Sequence, residues 1–330
     1  MTTFRALYVH KGEEEFTSEI RSLTLADIDE GEVIIEVKYS SINFKDGLAS
    51  IPNGRILEKY PMVPGIDLAG IVLESQDDRY QVGDEVIAGN GALGVSHTGG
   101  FSEVARIPAE WVIPLPQGLS LKDAMALGTA GFTAAMSIQR LEENGLRPGG
   151  EPVLVTGATG GVGCTAIAML SQRGYDVVAS TGKESEHTFL RELGASDVIG
   201  RVSVDGEEKV GPLSKRTWAG AVDPVGGNTL SYLLRTMDYS GSIAVSGLTG
   251  GATYSSTVYP LILRGVNVLG IDTAHISREY REQIWKRLAT DLKIEDVADR
   301  IAFEISLDQL PTTLEQILAG KMRGRAVLAL

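Results

Sequence analysis

The stretch V-L-V-T-G-A-T-G-G-V-G, from Val153 to Gly163, joins an apolar, β-branched run to a helix start through a glycine-rich turn. A phosphate comes close to backbone N–H groups only where no Cβ intrudes, and a helix N-terminus offers it unpaired amides and the positive end of the dipole. Ala158, Gly160 and Gly163 stand at the three positions of the G-x-G-x-x-G fingerprint, with the first glycine replaced. E-P-V-L-V leads into the turn, and T-A-I-A-M-L-S-Q-R follows it, with Val162, Ile167 and Leu170 at helical spacing. Gly174 stops the helix, and a second apolar strand runs from Asp176 to Ala179. Together they make a βαβ unit of about thirty residues, the opening of a dinucleotide-binding sheet. The alternative is a glycine-rich loop that only packs a helix on a sheet.

The surrounding composition narrows the class. With 330 residues and 43% hydrophobic content, the chain is long enough for two domains, each with its own core. A formal net charge of −13 argues against a nucleic-acid footprint, which needs clustered Lys and Arg. Apolar runs such as those around Val153 and Val266 fall well short of the ~20 residues of a membrane span. The opening M-T-T-F-R-A-L-Y-V-H alternates like a strand and carries no signal-peptide pattern, so the expected location is the cytoplasm. Cys164 is the single cysteine, which excludes an intramolecular disulfide and a cysteine-rich metal site; it reads as a small residue packed under the turn.

The first ~120 residues read as β-rich. A-L-Y-V-H, E-V-I-I-E-V-K-Y-S, L-A-G-I-V-L, D-E-V-I-A-G and W-V-I-P-L are short strands punctuated by Gly, Pro and Asp, which suggests a small barrel. From Leu121 the pattern turns helical through A-M-A-L-G-T-A-G-F-T-A-A-M-S-I, and a second helical segment ends near Leu146. Beyond the βαβ unit come a helix over 184–193, then D-V-I, G-A-V-D-P-V, S-I-A-V-S-G and V-N-V-L-G-I-D as strands. This alternation is that of a doubly wound parallel α/β sheet. A helix is expected from Arg278 to Leu292, ahead of a mixed tail.

These pieces resemble the zinc-independent branch of the medium-chain dehydrogenases/reductases, in particular its acryloyl-CoA reductase and quinone oxidoreductase group. The resemblance rests on S-I-N-F-K-D-G-L (41–48), P-G-I-D-L-A-G-I-V (64–72), V-G-D-E-V-I-A (82–88), G-T-A-G-F-T-A-A (128–135), V-D-P-V-G-G (222–227), V-S-G-L-T-G-G (245–251) and L-R-G-V-N-V-L-G-I-D (263–272), besides the opening stretch. It implies a GroES-like, barrel-type catalytic domain over 1–121 and 273–330, a Rossmann NADP-binding domain over 122–272, and an active-site cleft between them. It also implies a homodimer, paired through an edge strand supplied by S-I-A-V-S-G or V-N-V-L-G-I-D. His10, His97, His187 and His275 are scattered and the single cysteine stands apart from them, so no zinc site is expected.

The second strand of the βαβ unit ends in A-S-T-G-K, without the acidic residue that an NAD-specific site uses for the ribose hydroxyls. Ser180, Thr181 and Lys183 suit a 2′-phosphate, and NADPH is the expected cofactor. The alternative is an ordinary turn with a solvated lysine. By resemblance Gly182 and Arg201 add to that site, Gly161 and Val162 join the phosphate turn, and Leu248, Ile262, Thr273 and Arg323 bound the cofactor. Asn43, Phe44, Lys45 and Asp46 resemble the family's active-site segment, with Phe44 also packing on the cofactor where relatives carry tyrosine. Asp46 reads equally as a turn or cap residue and Lys45 as a solvated one. Tyr39, Tyr60 and Arg323 remain alternative donors. The implied reaction is NADPH-dependent reduction of an activated C=C bond, in acryloyl-CoA or a similar short enoyl thioester. Quinone or enone reduction and a non-enzymatic, crystallin-like NADPH-binding role are the alternatives. A short-chain dehydrogenase is disfavoured, because the glycine turn lies mid-chain and no Tyr-x-x-x-Lys pair occurs.

Overall fold

The computed structural model describes residues 3–13, 15–89, 91–203 and 211–330. In chain order its elements are β1 (Phe4–Lys11), β2 (Phe16–Leu23), β3 (Val33–Ser41), α1 (Phe44–Ala49), β4 (Asp67–Ser75), β5 (Glu85–Gly89), β6 (Val104–Ile107), β7 (Val112–Pro114) and α2 (Leu121–Glu143). There follow β8 (Val153–Val155), α3 (Gly161–Gln172), β9 (Val177–Ser180), α4 (His187–Glu192), β10 (Asp197–Ile199), β11 (Trp218–Asp223), α5 (Gly227–Thr236), β12 (Met237–Val245), α6 (Tyr259–Arg264) and β13 (Asn267–Gly270). The chain closes with α7 (Arg278–Leu288), α8 (Val297–Ile301), β14 (Ala302–Ser306), α9 (Leu310–Leu318) and β15 (Arg325–Ala329). Two compact units result. Met1–Thr129, Thr273–Ala289 and Glu295–Leu330 form the first, and Ala130–Asp272 with Thr290–Ile294 the second.

The second unit holds a parallel sheet in the order β10-β9-β8-β11-β12-β13. Its inner strands are apolar on both faces, as Val153, Leu154 and Val155 of β8 are, because helices cover a parallel sheet on either side. Leu154, Ala221, Leu230, Leu233 and Ile243 form the core under α5. Strand order reverses between β8 and β11, the switch point outside whose carboxyl ends such sheets bind ligands. The outer strands are β10 and β13. β12 lies between β11 and β13, so S-I-A-V-S-G is not a sheet edge, which corrects one of the two expected pairing strands. Both segments are short apolar runs, and hydropathy does not order parallel neighbours.

The first unit is built on a largely antiparallel sheet, β14-β15-β3-β4-β5-β7, with β6 also on β3, beside the β1–β2 hairpin. The tail of the chain enters this sheet: Val327 of β15 lies opposite Ser41 and Leu328 opposite Ser40 of β3. Leu7, Ile42, Phe101, Leu310 and Leu328 form one core, and Val33, Ile35, Leu68, Val86 and Ile107 another. β2 and β6, polar enough to pass as loop in the sequence, complete the β-pairing. α7 ends at Leu288, short of the expected Leu292. The helical run from Leu121 is broken at Gly128 (φ 50°, ψ −158°), so it is two helices in series and Leu121–Thr129 stays with the first unit.

Candidate functional site

In the second unit, Thr156 leaves β8 and Gly157 takes a positive φ of 54° to start the turn. The Ala158 N–H donates to the Ser180 carbonyl (3.1 Å), tying the turn to the neighbouring strand end. Gly160 occupies the N-cap of α3 with no side-chain cap, and no acidic residue stands in the first helical turn. Gly160 is exposed and Gly161 and Val162 half-buried, so that helix end is open to a ligand. Gly163 is buried against the turn: a Cβ there would stand 2.5 Å from the Gly157 carbonyl oxygen. This supplies the backbone amides and dipole that an anionic group requires.

Beside this turn, Ser180 ends β9, buried, and its hydroxyl donates to the Gly200 carbonyl (3.0 Å). The Thr181 N–H donates to Ile199, and the Lys183 N–H donates to Thr181 Oγ1 (3.1 Å). Arg201 lies across Gly182, where an added Cβ would meet its Nε at 2.5 Å. Lys183, after β9, and Arg201, after β10, thus stand at neighbouring strand ends, which the Ser180–Gly200 bond ties together. Leu248, 63% exposed, stands next to Gly226 at the end of β11, and Ile262, 68% exposed, projects from α6 beside β12.

In the first unit, Asn43 is the N-cap of α1. The Asn43 N–H and Nδ2 donate to Asp46 Oδ2 (2.9 and 3.1 Å), and the Ile66 N–H donates to Asp46 Oδ1 (3.0 Å). Asn43 Nδ2 also donates to Asp67 Oδ2 (2.8 Å). That carboxylate further accepts from Ser41 Oγ, from the Thr129 N–H (2.9 Å) and, at Oδ1, from Thr129 Oγ1 (2.6 Å). Asp46 is 0% exposed; burial first, and then the Asp67 charge, push its carboxyl up to about 7. Buried Arg325 donates to the Ala126 and Ile42 carbonyls, its Nη2 near Ser41 and Asp67 around Gly128. Asn43 and Asp46 are therefore committed to the turn, while Phe44, 40% exposed, and half-buried Lys45 are its open residues. Thr273 is half-buried and Arg323 exposed, each elsewhere in this unit. Ser41, Asp67, Thr129 and Arg325 did not stand out in the sequence as a set. Only the S-I-N-F-K-D-G-L, P-G-I-D-L-A-G-I-V and G-T-A-G-F-T-A-A blocks reached Ser41, Asp67 and Thr129, and none reached Arg325.

The family model "Alcohol dehydrogenase GroES-like domain" matches residues 29–117, and "Zinc-binding dehydrogenase" matches residues 161–290. The chain is 44% identical over 327 residues to acrylyl-CoA reductase AcuI of Ruegeria pomeroyi, covering 98% of each. It is a medium-chain dehydrogenase/reductase. Its relatives place it in the zinc-independent group of acryloyl-CoA reductases and quinone oxidoreductases, and it is an oxidoreductase. The crystal structure of Bacillus subtilis yhfP with NAD bound is 49% identical, covers 100% of both chains and superposes with a TM-score of 0.96. That of Escherichia coli YhdH with bound NADPH is 42% identical over 98% of this chain and 99% of that one, with a TM-score of 0.93.

One matching family carries zinc in its name. Among the described residues no group of three or more His, Cys, Asp and Glu side chains is placed to hold a metal. The Asp67 carboxylate is taken up by Ser41, Asn43 and Thr129, with a guanidinium nearby, a donor set that does not fit a zinc ion. No described helix is long and apolar enough to cross a membrane.

Proposed function

We propose that this oxidoreductase uses NADPH to reduce the activated C=C bond of acryloyl-CoA or a similar short enoyl thioester. The observation that carries the cofactor half is the pairing of an uncapped, acid-free α3 N-terminus with a β9 end that bears Lys183 in place of an acid and has Arg201, from the turn after β10, lying across Gly182. Gly160, Gly161, Val162 and Gly163, with Ala158, would hold the pyrophosphate. Thr181, Gly182, Lys183 and Arg201, braced by Ser180, would hold the 2′-phosphate, and Leu248 and Ile262 would bound the rest of the cofactor on that unit. The NADPH named with the Escherichia coli YhdH structure and the NADP named with the Salmonella enterica yhdH structure support this choice. The substrate half is supported by the name of the Ruegeria pomeroyi relative.

When bound, the cofactor supplies a hydride. What the chain must add is charge stabilisation, since hydride addition at the β-carbon of a thioester builds enolate charge on the carbonyl oxygen, which is discharged when the α-carbon takes a proton from a side chain or water. Asn43 and Asp46 hold the α1 turn so that Lys45 can donate to that oxygen. A donor of this kind is worth about 2.7–4 kcal/mol, so Lys45→Met should lower kcat by about a hundredfold to a thousandfold. We further propose that two copies pair through β13, whose Val268 is exposed, as are Leu261 and Leu263 of α6. Sedimentation at the dimer mass supports this, and the monomer mass contradicts it. Comparing kcat/KM for acryloyl-CoA with that for small quinones tests the substrate assignment. A clear preference for the thioester supports it, whereas a preference for quinones moves the chain to that activity.

A further inference from the structure

Asp223 ends β11 fully buried, with its carboxylate surrounded by donors from two glycine turns. Oδ1 accepts from the Thr156 hydroxyl (2.6 Å), the Val225 N–H (3.0 Å) and the Gly226 N–H (3.2 Å), and Oδ2 shares the Gly226 N–H (3.2 Å). Thr156 is the first residue of the turn leading to α3, and its own N–H donates to the Val222 carbonyl (3.1 Å). The third turn, after β12, is tied in as well: the Ser246 N–H donates to the Asp223 carbonyl (3.0 Å) and the Gly250 N–H to that of Val225 (2.8 Å). The turns are in van der Waals contact. A Cβ on Gly157 would stand 3.0 Å from Val225 Cγ2, one on Gly247 would overlap the Pro224 carbonyl, and one on Gly227 would stand 2.5 Å from the Gly250 carbonyl oxygen.

A carboxylate with no exposed surface, both of whose oxygens accept from the chain's own donors, does not touch a cofactor. It also has the wrong sign to attract one. What it does is fix where Thr156, Val225 and Gly226 sit relative to each other at the switch point of the sheet. Burial pushes its carboxyl up, and the Thr156 hydroxyl and the two N–H groups oppose this.

We infer that Asp223 is a positioning residue for the dinucleotide site, locking the turns over 156–163, 223–227 and 246–251 into one rim. The inference rests on the NADPH reading above. It predicts that loosening the rim weakens cofactor binding while leaving turnover at saturating cofactor in place, because no group that touches the reacting atoms is removed.

The test is the equilibrium Kd of NADPH by fluorescence, with kcat at saturating NADPH, for the wild type, Thr156→Val, Asp223→Ala and Asp223→Asn. Thr156→Val removes one buried hydroxyl at nearly constant volume, so it carries the test even where Asp223→Ala does not fold. Thr156→Val and Asp223→Ala should raise Kd by about tenfold to a hundredfold with kcat within about threefold, the range expected for a lost hydrogen bond to a charged group. Asp223→Asn, which keeps an acceptor for Thr156 and Val225, should restore Kd to within about threefold of the wild type. A lower Tm with unchanged Kd in Thr156→Val would show a merely structural role and overturn the inference. Absence of NADPH binding by the wild type would overturn the cofactor reading itself, which is a distinct result.

Discussion

Replacing Gly128 by alanine perturbs the buried polar cluster of the first unit at its most confined point. Its backbone, at φ 50° and ψ −158°, lies where side-chain-bearing residues are strained, at a cost of order 1–3 kcal/mol. The added methyl group would stand 2.7 Å from Arg325 Nη2 and 3.0 Å from Asp67 Oδ2, and closer still to Ser41 Oγ. These atoms are buried, and Ser41 Oγ and Asp67 Oδ2 are hydrogen-bonded, so something must open, and losing one such bond costs roughly 1–3 kcal/mol more. The expected total of about 2–6 kcal/mol is a large part of the ~5–15 kcal/mol that holds a domain folded. Two reference substitutions separate the contributions. Gly145→Ala has a positive φ of 95° but open space around it, so it carries only the backbone cost of roughly 1–2 kcal/mol. Gly150→Ala has neither feature and should stay within about 1 kcal/mol of the wild type. Urea unfolding followed by intrinsic fluorescence, with m-values compared, reads all three. If Gly128→Ala is no more destabilising than Gly145→Ala, the cluster does not confine that position and the reasoning fails.

Three further outcomes follow from the same geometry. Asp46, pushed up to about 7 from an ordinary 3.8, keeps a proton in the folded chain that the unfolded chain releases earlier. Its contribution is therefore full below about pH 4 and is lost as the pH rises towards 7; unfolding free energies between about pH 4.5 and 7.5 should decline less in Asp46→Asn, and parallel profiles would refute the shift. Lys183→Asp should raise the KM for NADPH at least about tenfold, the loss of one charge-assisted contact, with the NADH value improved or unchanged; an unaltered ratio between the two cofactors would remove Lys183 from the 2′-phosphate site. Gly163→Ala would press a Cβ to 2.5 Å from the Gly157 carbonyl and 2.7 Å from the Ala158 Cα. It should cost about 1–3 kcal/mol by overpacking and weaken NADPH binding, and wild-type Tm and affinity would show that α3 is not seated as described.

The features legible in the sequence were local ones. The β8 strand, the positive-φ glycine turn and the α3 helix follow one another within a few residues, so periodicity and turn chemistry suffice to read them. The same holds for the acid-free Ser180–Lys183 strand end. What the sequence concealed depends on chain segments that meet only in the fold. Asp67 and Arg325 flank Gly128 because β15 returns to pair with β3, and no local pattern announces that. Gly128 itself sits in an alanine-rich run that reads as continuous helix, since an interior glycine is a tolerated cost in a helix and a break only when its neighbours demand one. Asp46 was open between cap and catalyst until its full burial and its bonds to Asn43 and Ile66 committed it to the turn. The β12 segment misled as an edge because inner and outer parallel strands share the same apolar composition.

The central claim, hydride delivery from NADPH to the β-carbon of an enoyl thioester, is tested most directly by isotope transfer. Acryloyl-CoA is incubated with the enzyme and NADPH deuterated at the transferable position, and the thioester product is analysed by mass spectrometry and NMR. Propanoyl-CoA carrying one deuterium at the β-carbon is the predicted result. Unchanged acryloyl-CoA, or a reduced thioester without deuterium at that carbon, would contradict it.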